Sequence, residues 1–364
     1  MPASVARNEG PRDLVGTYRG RRCFVTGHTG FKGSWLCVVL HTLGAKVTGY
    51  SLDPPTTPSL FDRARIKHLL EDIRADVRDC QCLSKAIDRS SPEIVFHLAA
   101  QPIVRLSYEL PRETFETNVG GTTNLLEAVR GCPSARAVVV ITSDKCYENR
   151  EWVHGYRETD RLGGDDPYSA SKAAAEIVCG AYEHAFFGPA GVGLGTCRAG
   201  NVIGGGDWAL DRIIPDAVRA LEEGRPVPIR NPSSVRPWQH VLEPLYGYLL
   251  LGSKLVEDPS YSGAWNFGPL PESCRTVKEL VECFLSAWGS GRWEDLSAEQ
   301  GSSPREARSL LLAWDKAFHL LGWRPRWDFE EAVRRTGNWY RRLAGGAEAA
   351  QLCAEEIRAY LEPS

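Results

Sequence analysis

The sequence predicts an α/β fold in which a doubly wound parallel sheet is followed by a smaller C-terminal lobe. From residue 22 to about residue 200, short runs of β-branched residues alternate with longer helical patterns, as in strands joined by crossover helices. A glycine-rich turn follows the first of these runs and opens an apolar helix. Beyond residue 204 the alternation loosens, and glycine, proline and tryptophan become frequent.

Six strands are predicted for the sheet. They lie at residues 23–26, 46–50, 73–75, 94–98, 137–142 and 192–198. Helices are predicted at residues 33–43, 80–89, 113–130 and 167–183, and a final helix at 348–361. We therefore expect an N-terminal extension at 1–20, a Rossmann-type dinucleotide-binding domain at 21–200, and at 201–364 mainly a substrate-binding lobe interleaved with the end of the sheet.

The charge balance and the hydropathy pattern exclude several kinds of partner. Lysine and arginine number 43 against 46 aspartates and glutamates, so there is no basic excess to neutralise a nucleic acid or an anionic membrane. The first twenty residues lack the apolar core of a signal peptide, and no later run is long enough to span a bilayer. We expect a cytoplasmic protein with neither nucleic-acid nor membrane partners.

The cysteines are scattered through apolar segments. There are 11 of them, an odd number, and none forms a C-x-x-C pair. This distribution is typical of reduced thiols packed as small hydrophobic side chains in a reducing compartment. We therefore expect no metal site.

A glycine-rich turn follows the first predicted strand. Gly27, Gly30 and Gly33 are spaced three residues apart in VTGHTGFKGSWL and lead into an apolar helix. Glycine lets the backbone turn sharply and approach a pyrophosphate, while the helix N-terminus supplies unpaired N–H groups and partial positive charge. The motif predicts a dinucleotide site, although a tight turn without a ligand also needs glycine.

Further cofactor contacts are expected after the next strands. Asp76 can accept the adenine amino group, and the small residues Ala99 and Ala100 leave room for a dinucleotide. After the second strand stand Ser51 and Asp53 with no arginine beside them to meet a 2′-phosphate, which favours NAD over NADP. The residues expected to line the cofactor are Gly27, Gly30, Phe31, Gly33, Asp76, Val77, Ala99, Ala100, Gln101, Asn118, Tyr168 and Lys172.

A tyrosine and a lysine form a candidate catalytic pair. Tyr168 and Lys172 are one helical turn apart, so both side chains leave the same face of their helix. Lowering the pKa of a tyrosine from about 10 by about three units requires roughly 4 kcal/mol of preferential stabilisation of the phenolate. We expect the Lys172 ammonium and the charge of a bound nicotinamide to supply it. The alternative is a surface Tyr and Lys on an amphipathic helix.

Three polar residues follow the fifth predicted strand, at the edge where α/β sheets collect their chemistry. Ser143 can hold the sugar hydroxyl that is oxidised, and Asp144 and Lys145 add adjacent ionisable groups that a plain alcohol dehydrogenase does not need. The alternative is a polar loop in which Ser143 and Asp144 cap the next turn and Lys145 is solvated.

Six segments carry a resemblance to a known family. They are, in chain order, GHTGFKGSWL, LAAQPIVRLSYELP, TSDKCYENREW, DPYSASK, RAGNVIGGGDWALDRIIPD and RPWQHVLEPL. Over residues 21–339 they closely resemble bacterial CDP-D-glucose 4,6-dehydratases, of the extended short-chain dehydrogenase/reductase family. Related dTDP-glucose dehydratases have Thr-Asp-Glu after the fifth strand and 4-epimerases lack the acidic pair, so the Ser-Asp-Lys motif at 143–145 resembles the CDP branch.

The resemblance implies an internal redox cycle with NAD as cofactor, in a lyase of deoxysugar biosynthesis. Tyr168, assisted by Lys172 and Ser143, removes the proton of the 4-hydroxyl as hydride passes from C4 to NAD⁺. Lys145 then takes the C5 proton while Asp144 protonates the departing 6-hydroxyl, and water is lost. Hydride returns to C6 and a proton to C5, which gives CDP-4-keto-6-deoxy-D-glucose without an external oxidant.

The resemblance also implies substrate contacts and an assembly. Asn201, Arg212 and Arg236 correspond to pyrophosphate and sugar contacts, which makes 201–364 mainly a nucleotide-sugar-binding lobe. For Arg236 the alternative is stacking on the indole of Trp238. The helices predicted at 113–130 and 167–183 resemble those of a four-helix interface, so we expect a homodimer or a homotetramer.

Two positions depart from the family pattern. Arg305 stands where the family usually has His, and Ala313 where it has Asp. Both lie in the predicted lobe, so they bear on the nucleotide and the sugar rather than on the reaction type.

Three other functions stay open. A nucleotide-sugar 4-epimerase has no use for Asp144 and Lys145, and a 4,6-dehydratase of another NDP-hexose differs only in the nucleotide or sugar. A non-catalytic NAD(H)-sensing protein does not need Tyr168 and Lys172 together.

Overall fold

The computed structural model describes residues 11–299 and 310–362. The strands are β1 (Arg22–Thr26), β2 (Lys46–Ser51), β3 (Glu71–Arg74), β4 (Ile94–His97), β5 (Ala137–Ile141), β6 (Gly193–Ala199), β7 (Val202–Ile203), β8 (Val227–Ile229), β9 (Val235–Pro237), β10 (Gln239–His240), β11 (Gly263–Phe267), β12 (Cys274–Thr276) and β13 (Trp293–Asp295). The α-helices are α1 (Pro11–Tyr18), α2 (Phe31–Thr42), α3 (Leu60–Arg63), α4 (Cys80–Ser90), α5 (Val104–Glu109), α6 (Pro111–Phe115), α7 (Gly121–Arg130), α8 (Pro167–Tyr182), α9 (Ile213–Glu222), α10 (Leu242–Glu257), α11 (Val277–Trp288), α12 (Asp315–Leu321), α13 (Phe329–Ala344) and α14 (Ala349–Leu361).

A seven-stranded sheet lies at the centre of the described chain. Its strand order is β11-β6-β5-β4-β1-β2-β3, and every neighbouring pair is parallel. The six strands predicted from the sequence are confirmed, with ends that differ by at most two residues. The chain moves outward from β1 to β3 and returns beside β1 with β4, so the carboxyl ends of β1 and β4 border a topological switch point, where ligands bind in such sheets.

The seventh strand, β11, was not predicted. Its sequence is GAWNF, which contains no β-branched residue, so the local pattern does not indicate a strand. It pairs with β6 over five residues, from Gly263 opposite Gly195 to Phe267 opposite Ala199. Pairing with an existing sheet edge, rather than local propensity, therefore defines this strand.

The central sheet is covered on both faces. Successive side chains of a strand point to opposite faces, and accordingly Val25 of β1 belongs to one apolar cluster and Phe24 to another. The first cluster includes buried residues of α2 and α10, and the second includes those of α4 and α7. Both faces being buried explains why the strands are almost continuously apolar.

The helix predicted at 113–130 is interrupted. The structure has α6, a π-helical turn at Glu116–Gly120, and then α7. Each hydrogen-bonded loop of this turn holds one residue more than in an α-helix, and the buried Asn118 lies within it. Periodicity alone did not reveal this irregularity.

The C-terminal part is built from small sheets and helices. β7 pairs with β10, β9 with β12, and β8 with β13, each as a two-stranded sheet. The predicted final helix is confirmed as α14. It returns to the first half of the chain and packs against α2 and α3.

Part of the N-terminal extension is a helix that docks on α10. The Tyr18 hydroxyl, at the end of α1, donates to the Leu249 carbonyl at 2.8 Å. Thr17 and Ser253 share a hydrogen bond of 2.7 Å between their hydroxyls. Residues 14–20 are therefore tied to the main body of the protein.

Other expectations can be compared with the described residues. All 11 cysteines are free thiols and seven are buried, as expected for small hydrophobic side chains. No described helix combines the length and apolar character needed to cross a membrane. In the same part of the chain, no three His, Cys, Asp or Glu side chains are grouped so that they could hold a metal ion.

Candidate active site

The glycine turn after β1 is shaped by close backbone contacts. Gly27 has φ +71°, and a Cβ at this position would lie 2.7 Å from the Ala99 nitrogen. A Cβ at Gly33 would lie 2.1 Å from the Gly27 carbonyl oxygen. Only glycine fits at these two positions, so the turn can hold the start of α2 directly against the ends of β1 and β4.

The same turn fits the pyrophosphate of a dinucleotide. Gly30 caps α2 and provides no side-chain acceptor for the first N–H groups of the helix. These groups carry the positive end of the helix dipole and are available to an anion. Gly27, Gly30, Phe31 and Gly33, which are predicted to line the cofactor, therefore lie together in this turn.

The ends of β1 and β4 are joined by a buried polar chain. The Thr26 hydroxyl oxygen accepts the N–H groups of Leu98 and Ala99, both at 3.1 Å, and lies 2.7 Å from Nδ1 of His97. Burial, together with a smaller effect of Lys172, lowers the pKa of His97 to about 3, so the ring is neutral. This chain fixes the small-residue turn at Ala99 and Ala100.

Asn118 connects this turn to α8, the helix that carries Tyr168 and Lys172. Its side-chain oxygen accepts the Gln101 N–H at 2.8 Å, and its amide donates to the Ser171 hydroxyl at 2.8 Å. Ser171 in turn donates to the Tyr168 carbonyl at 2.7 Å. Asn118 and Gln101, both predicted to line the cofactor, therefore also connect β4 to α8.

Asp76 lies at the end of β3, where adenine is expected. Its carboxylate accepts Nε of Arg78 at 2.8 Å and the Arg78 N–H at 2.9 Å. Burial raises the pKa of Asp76, but the Arg78 hydrogen bonds outweigh this and leave the pKa lowered, so the group is an ionised acceptor. The following residue, Val77, packs against Gly121 of α7.

The expectation that no arginine stands near Ser51 and Asp53 is wrong. Arg74 of β3 is the register partner of Ser51, and its Nη1 lies 3.5 Å from Asp53. Its Nε lies 2.8 Å from Asp72, which also binds His28 at 2.8 Å. Arg74 is more than twenty residues away in the sequence, so it could not be recognised as a neighbour. Its guanidinium is already paired with the carboxylates of Asp53 and Asp72.

The Ser-Asp-Lys motif forms a capped turn directly after β5. Ser143 accepts the Lys145 N–H at 3.2 Å and donates to Oδ1 of Asp144 at 2.9 Å. Ser143 therefore does cap the turn, as the polar-loop alternative proposed. The cap and a catalytic role are compatible, because the same turn buries Ser143 and Asp144 at the carboxyl edge of the sheet.

Asp144 is held in a confined, buried position. A Cβ at Gly200 would lie 2.9 Å from its Oδ2, so this glycine makes room for the carboxyl group. Burial raises the pKa of Asp144, although Lys145, the Ser143 hydroxyl and Lys32 each lower it. The net raised pKa favours the protonated form that a general acid needs.

Tyr168 is buried and faces Ser143. Burial raises its pKa to about 12, although Ser143 and Arg212 lower it. The expected lowering of this pKa by Lys172 is therefore wrong for the chain itself. The Lys172 ammonium instead donates to the Ile141 carbonyl at 3.3 Å, and burial dominates at the phenol.

Lys172 is also buried, and burial lowers its pKa to about 8. The carboxylate that raises it most is Glu176, one further turn along α8. Glu176 accepts hydrogen bonds from the Thr142 hydroxyl, from Thr196 at 2.7 Å and from Arg198 at 2.7 Å. The buried carboxylate thus ties α8 to the ends of β5 and β6.

The three predicted substrate contacts lie in three different segments of the chain. Arg212 precedes α9, pairs with Asp207 at 2.8 Å, and acts electrostatically on Tyr168, which places it at the cleft. Asn201 follows β6, and its carbonyl accepts the Gln239 N–H at 3.2 Å. Arg236 lies on β9, opposite Arg275 of β12.

Of the two departures from the family pattern, only Ala313 lies within the described residues. Its N–H donates to the Tyr156 carbonyl at 2.9 Å, and its carbonyl accepts Nδ2 of Asn266 at 3.0 Å. Arg305 lies outside the described residues.

Sequence reasoning missed three charged residues of this region. Arg74 could not be found without the β2–β3 register. Glu176 continues the spacing of Tyr168 and Lys172 on α8, so an isolated acid in AAAEIVC was a detectable sign of a buried charge. Lys32 lies within the glycine motif. A lysine between two residues of this turn, in an otherwise apolar segment, was a detectable sign of a charge near the cofactor site.

The comparisons with known proteins agree with this geometry. Residues 23–268 match the model of the NAD dependent epimerase/dehydratase family. The chain is 51% identical over 350 residues to the CDP-glucose 4,6-dehydratase of Salmonella typhimurium, which covers 94% of this chain and 97% of that protein. It is 29% identical to the dTDP-glucose 4,6-dehydratase of Streptomyces antibioticus, over 87% of this chain and 91% of that protein.

A solved structure gives a similar result. MoeE5 in complex with UDP-glucuronic acid and NAD superposes with a TM-score of 0.74 at 28% identity, covering 88% of this chain and 99% of that one. The predicted fold class and the resemblance found in the sequence are thereby confirmed.

Proposed function

Because the chain belongs to the NAD-dependent epimerase/dehydratase family, we propose that it is a hydro-lyase that converts CDP-D-glucose to CDP-4-keto-6-deoxy-D-glucose. The cofactor is NAD. The reaction is an oxidation at C4, a loss of water across C5 and C6, and a reduction at C6. The cytoplasm is the compartment we propose, and the division into domains at about residue 200 stays a prediction.

The first half of the reaction belongs to Ser143, Tyr168 and Lys172. NAD, when bound, supplies the hydride acceptor for C4 and the hydride donor for C6. Ser143 holds the 4-hydroxyl, and Tyr168 takes its proton. Because burial raises the pKa of Tyr168 to about 12, the phenolate would need added positive charge, which a bound nicotinamide ring would supply, with Lys172 on the same face of α8.

The second half belongs to Asp144 and Lys145. The 4-keto group acidifies the C5 hydrogen, which the Lys145 amine removes. Asp144 gives its proton to the 6-hydroxyl as the C6–O bond breaks, so one molecule of water leaves. A proton then returns to C5.

One observation supports dehydration most strongly. Asp144 is a buried carboxyl group with a raised pKa, and it follows Ser143, the residue that contacts Tyr168. Oxidation at C4 and transient reduction, which suffice for a 4-epimerase, use no such acid. The identity of 51% to a CDP-glucose dehydratase supports the same choice.

The test is incubation with CDP-, dTDP-, UDP- and GDP-glucose in turn, without added NAD⁺. We expect a 4-keto-6-deoxy sugar from CDP-glucose and at least tenfold slower conversion of the others. Product with inverted C4 and an intact 6-hydroxyl would make the protein an epimerase. If the enzyme preferred another nucleotide sugar, the proposed dehydration would stand and only the proposed substrate would be wrong.

Variants separate the two halves of the reaction. Lys145→Ala should retain bound NAD and C4 oxidation but lose dehydration, whereas Tyr168→Phe should lose both. Lys46→Met, at an exposed position at the start of β2, serves as the control with native turnover. Unchanged dehydration in Lys145→Ala would remove this lysine from the mechanism.

We propose a second copy of the chain as the protein partner, in a homodimer or homotetramer. The four-helix interface was expected at residues 113–130 and 167–183, where α6 exposes Phe115 and α8 exposes Ile177, and Leu110 directly precedes α6. Leu110 is 43% exposed, Phe115 is 40% exposed and Ile177 is 62% exposed. Light scattering should give a dimer or larger mass, and Ile177→Asp should shift it to a monomer; a monomeric native protein would contradict the proposal.

A further inference from the structure

Lys32 is a charged residue of the cleft to which the proposed reaction assigns no task. It is the second residue of α2 and lies between Phe31 and Gly33 in the cofactor turn. Its side chain is half-buried, and its ammonium makes no hydrogen bond or ion pair with any described residue. A cation without a close partner beside a cofactor turn requires an explanation.

The loop after β6 brings the surroundings of Lys32 and Asp144 together. A Cβ at Gly200 would lie 2.9 Å from Oδ2 of Asp144, and a Cβ at Gly204 would lie 3.3 Å from the Phe31 ring. This short segment therefore touches Asp144 at one end and the residue before Lys32 at the other.

The charges around Lys32 come from four elements. Arg212 and Lys172 repel its ammonium, while Asp144 and the Cys197 thiol favour the charged form. Burial has the largest effect and lowers the pKa of Lys32 to about 8, so it is mostly charged at neutral pH. Asp144 is the carboxyl group among these neighbours.

Several ionisable groups interact electrostatically with Asp144. Lys145 and Lys32 favour its ionised form. Tyr168, Tyr248 and the Cys146 thiol interact with it as well, and burial raises the pKa of all three, so they stay neutral. In the proposed reaction Lys145 begins the elimination as a neutral amine, which leaves Lys32 as the cation that acts on Asp144 before any proton moves.

We propose that Lys32 is a positioning residue that stabilises the Asp144 carboxylate formed when water is lost. The inference rests on the proposed function. In this step the C5–H electron pair becomes the C5–C6 double bond, the C5 proton goes to the Lys145 amine, and the C6–O bond breaks. The Asp144 proton goes to the departing oxygen, and the Lys32 ammonium, which favours the ionised form of Asp144, stabilises the new carboxylate.

The test compares Lys32→Met with Lys32→Arg, and uses Lys46→Met as the matched control for removal of an exposed lysine. Methionine keeps the length and apolar stem of lysine without its charge. In single turnovers, absorbance of the reduced cofactor reports C4 oxidation, and product analysis reports loss of water. The amount of bound NAD is measured for every variant.

We expect Lys32→Met to keep C4 oxidation near the native rate and to slow loss of water about tenfold, a fraction of the roughly 10²–10⁴-fold contribution of a general acid. Without the cation Asp144 holds its proton more strongly, so the alkaline limb of the elimination profile should move to higher pH. Lys32→Arg should restore both. If Lys32→Met lost water at the native rate and the alkaline limb of its pH profile did not move, the proposal would be overturned.

A second measurement does not depend on turnover. In protein labelled with ¹³Cγ-aspartate, the Asp144 signal is assigned by its absence in Asp144→Asn and titrated with pH. Lys32→Met should move this titration to higher pH, whereas an unchanged titration would refute the charge coupling. If the native enzyme gives no 4-keto-6-deoxy product, the proposed function fails instead, and this titration still tells the two failures apart.

Discussion

Two buried carboxyl groups, those of Asp144 and Glu243, have raised pKa values for the same physical reason. They differ in how many hydrogen bonds the surrounding protein gives them. Burial raises both. Among the described residues, Asp144 accepts hydrogen bonds only from its own turn, through Ser143 and the Lys145 N–H, and its other oxygen lies against Gly200. One side of the group is thus left for a substrate.

Glu243, in the first turn of α10, is fully occupied. It accepts the Arg326 N–H at 3.1 Å, the Trp327 N–H at 2.8 Å and the Tyr360 hydroxyl at 2.6 Å. These donors come from the segment before α13 and from α14, so the carboxyl group joins three parts of the C-terminal half. Its pKa is raised to about 7.

The difference teaches that a raised pKa alone does not identify a catalytic acid. What separates the two groups is whether hydrogen-bonding capacity remains after the protein has used its own donors. On this criterion Asp144 can act as the acid of the proposed reaction, whereas Glu243 holds parts of the C-terminal half together.

The largest effect is expected at Asp144. Asp144→Asn should lower the rate of water loss by about 10²–10⁴-fold, because the amide cannot donate an acidic proton. Its stability should not fall, since a buried carboxyl group is replaced by a neutral group of the same shape. Rapid-quench product analysis and urea unfolding measure the two quantities, and a large loss of stability would erase the distinction from Glu243.

A third buried carboxylate, Glu176, sharpens the comparison. It is paired with Arg198 at 2.7 Å, and both side chains are 3% exposed. Glu176→Leu should cost about 3–5 kcal/mol of unfolding free energy, because it leaves a buried guanidinium without its carboxylate.

The control for this loss is the double variant Glu176→Leu/Arg198→Met, which removes both charges. It should recover much of the stability. If the single variant were as stable as the native protein, the pair would not hold α8 to the sheet in the way described.

Glu243→Gln should leave turnover unchanged and flatten the pH dependence of stability. The folded pKa of about 7 lies above the ordinary value of 4.5, so the folded state binds more protons between these values. Native stability should therefore fall as pH rises from about 5 to 7, by on the order of 3 kcal/mol, and stay low above that range. Urea unfolding at several pH values should show a flatter dependence in the variant; an identical pH slope in both proteins would contradict this.

The smallest effect is expected at Gly200. A Cβ there would lie 2.9 Å from Asp144 and 3.3 Å from Pro237, so Gly200→Ala should displace the carboxyl group and lower turnover by roughly tenfold. Gly16→Ala, at an exposed position of α1 with nothing within 4 Å, is the matched control. It should gain up to about 1 kcal/mol of stability and keep native turnover.

The sequence predicts most of the sheet because its strands are buried on both faces and therefore read as short apolar runs. β11 was not predicted because its pairing with β6, and not its composition, makes it a strand. The π-helical turn around Asn118 was not predicted because helical periodicity does not reveal one inserted residue.

The candidate site was predictable where spacing along the chain carries the chemistry. The glycines at 27, 30 and 33, the 143–145 turn and the Tyr168–Lys172 spacing are of this kind. Arg74 depends on the pairing of two strands, and the charges around Asp144 depend on segments far apart in sequence. The pKa of Tyr168 was misjudged because burial, which the sequence does not quantify, outweighs the nearby charges.

The most direct test of the account follows deuterium through a single conversion. CDP-[4-²H]glucose, turned over in ordinary water by the enzyme without added cofactor, should give product with the label at C6, and unlabelled substrate in heavy water should gain one deuterium at C5. Label retained at C4, or lost to the solvent, together with no exchange at C5 would contradict the dehydration.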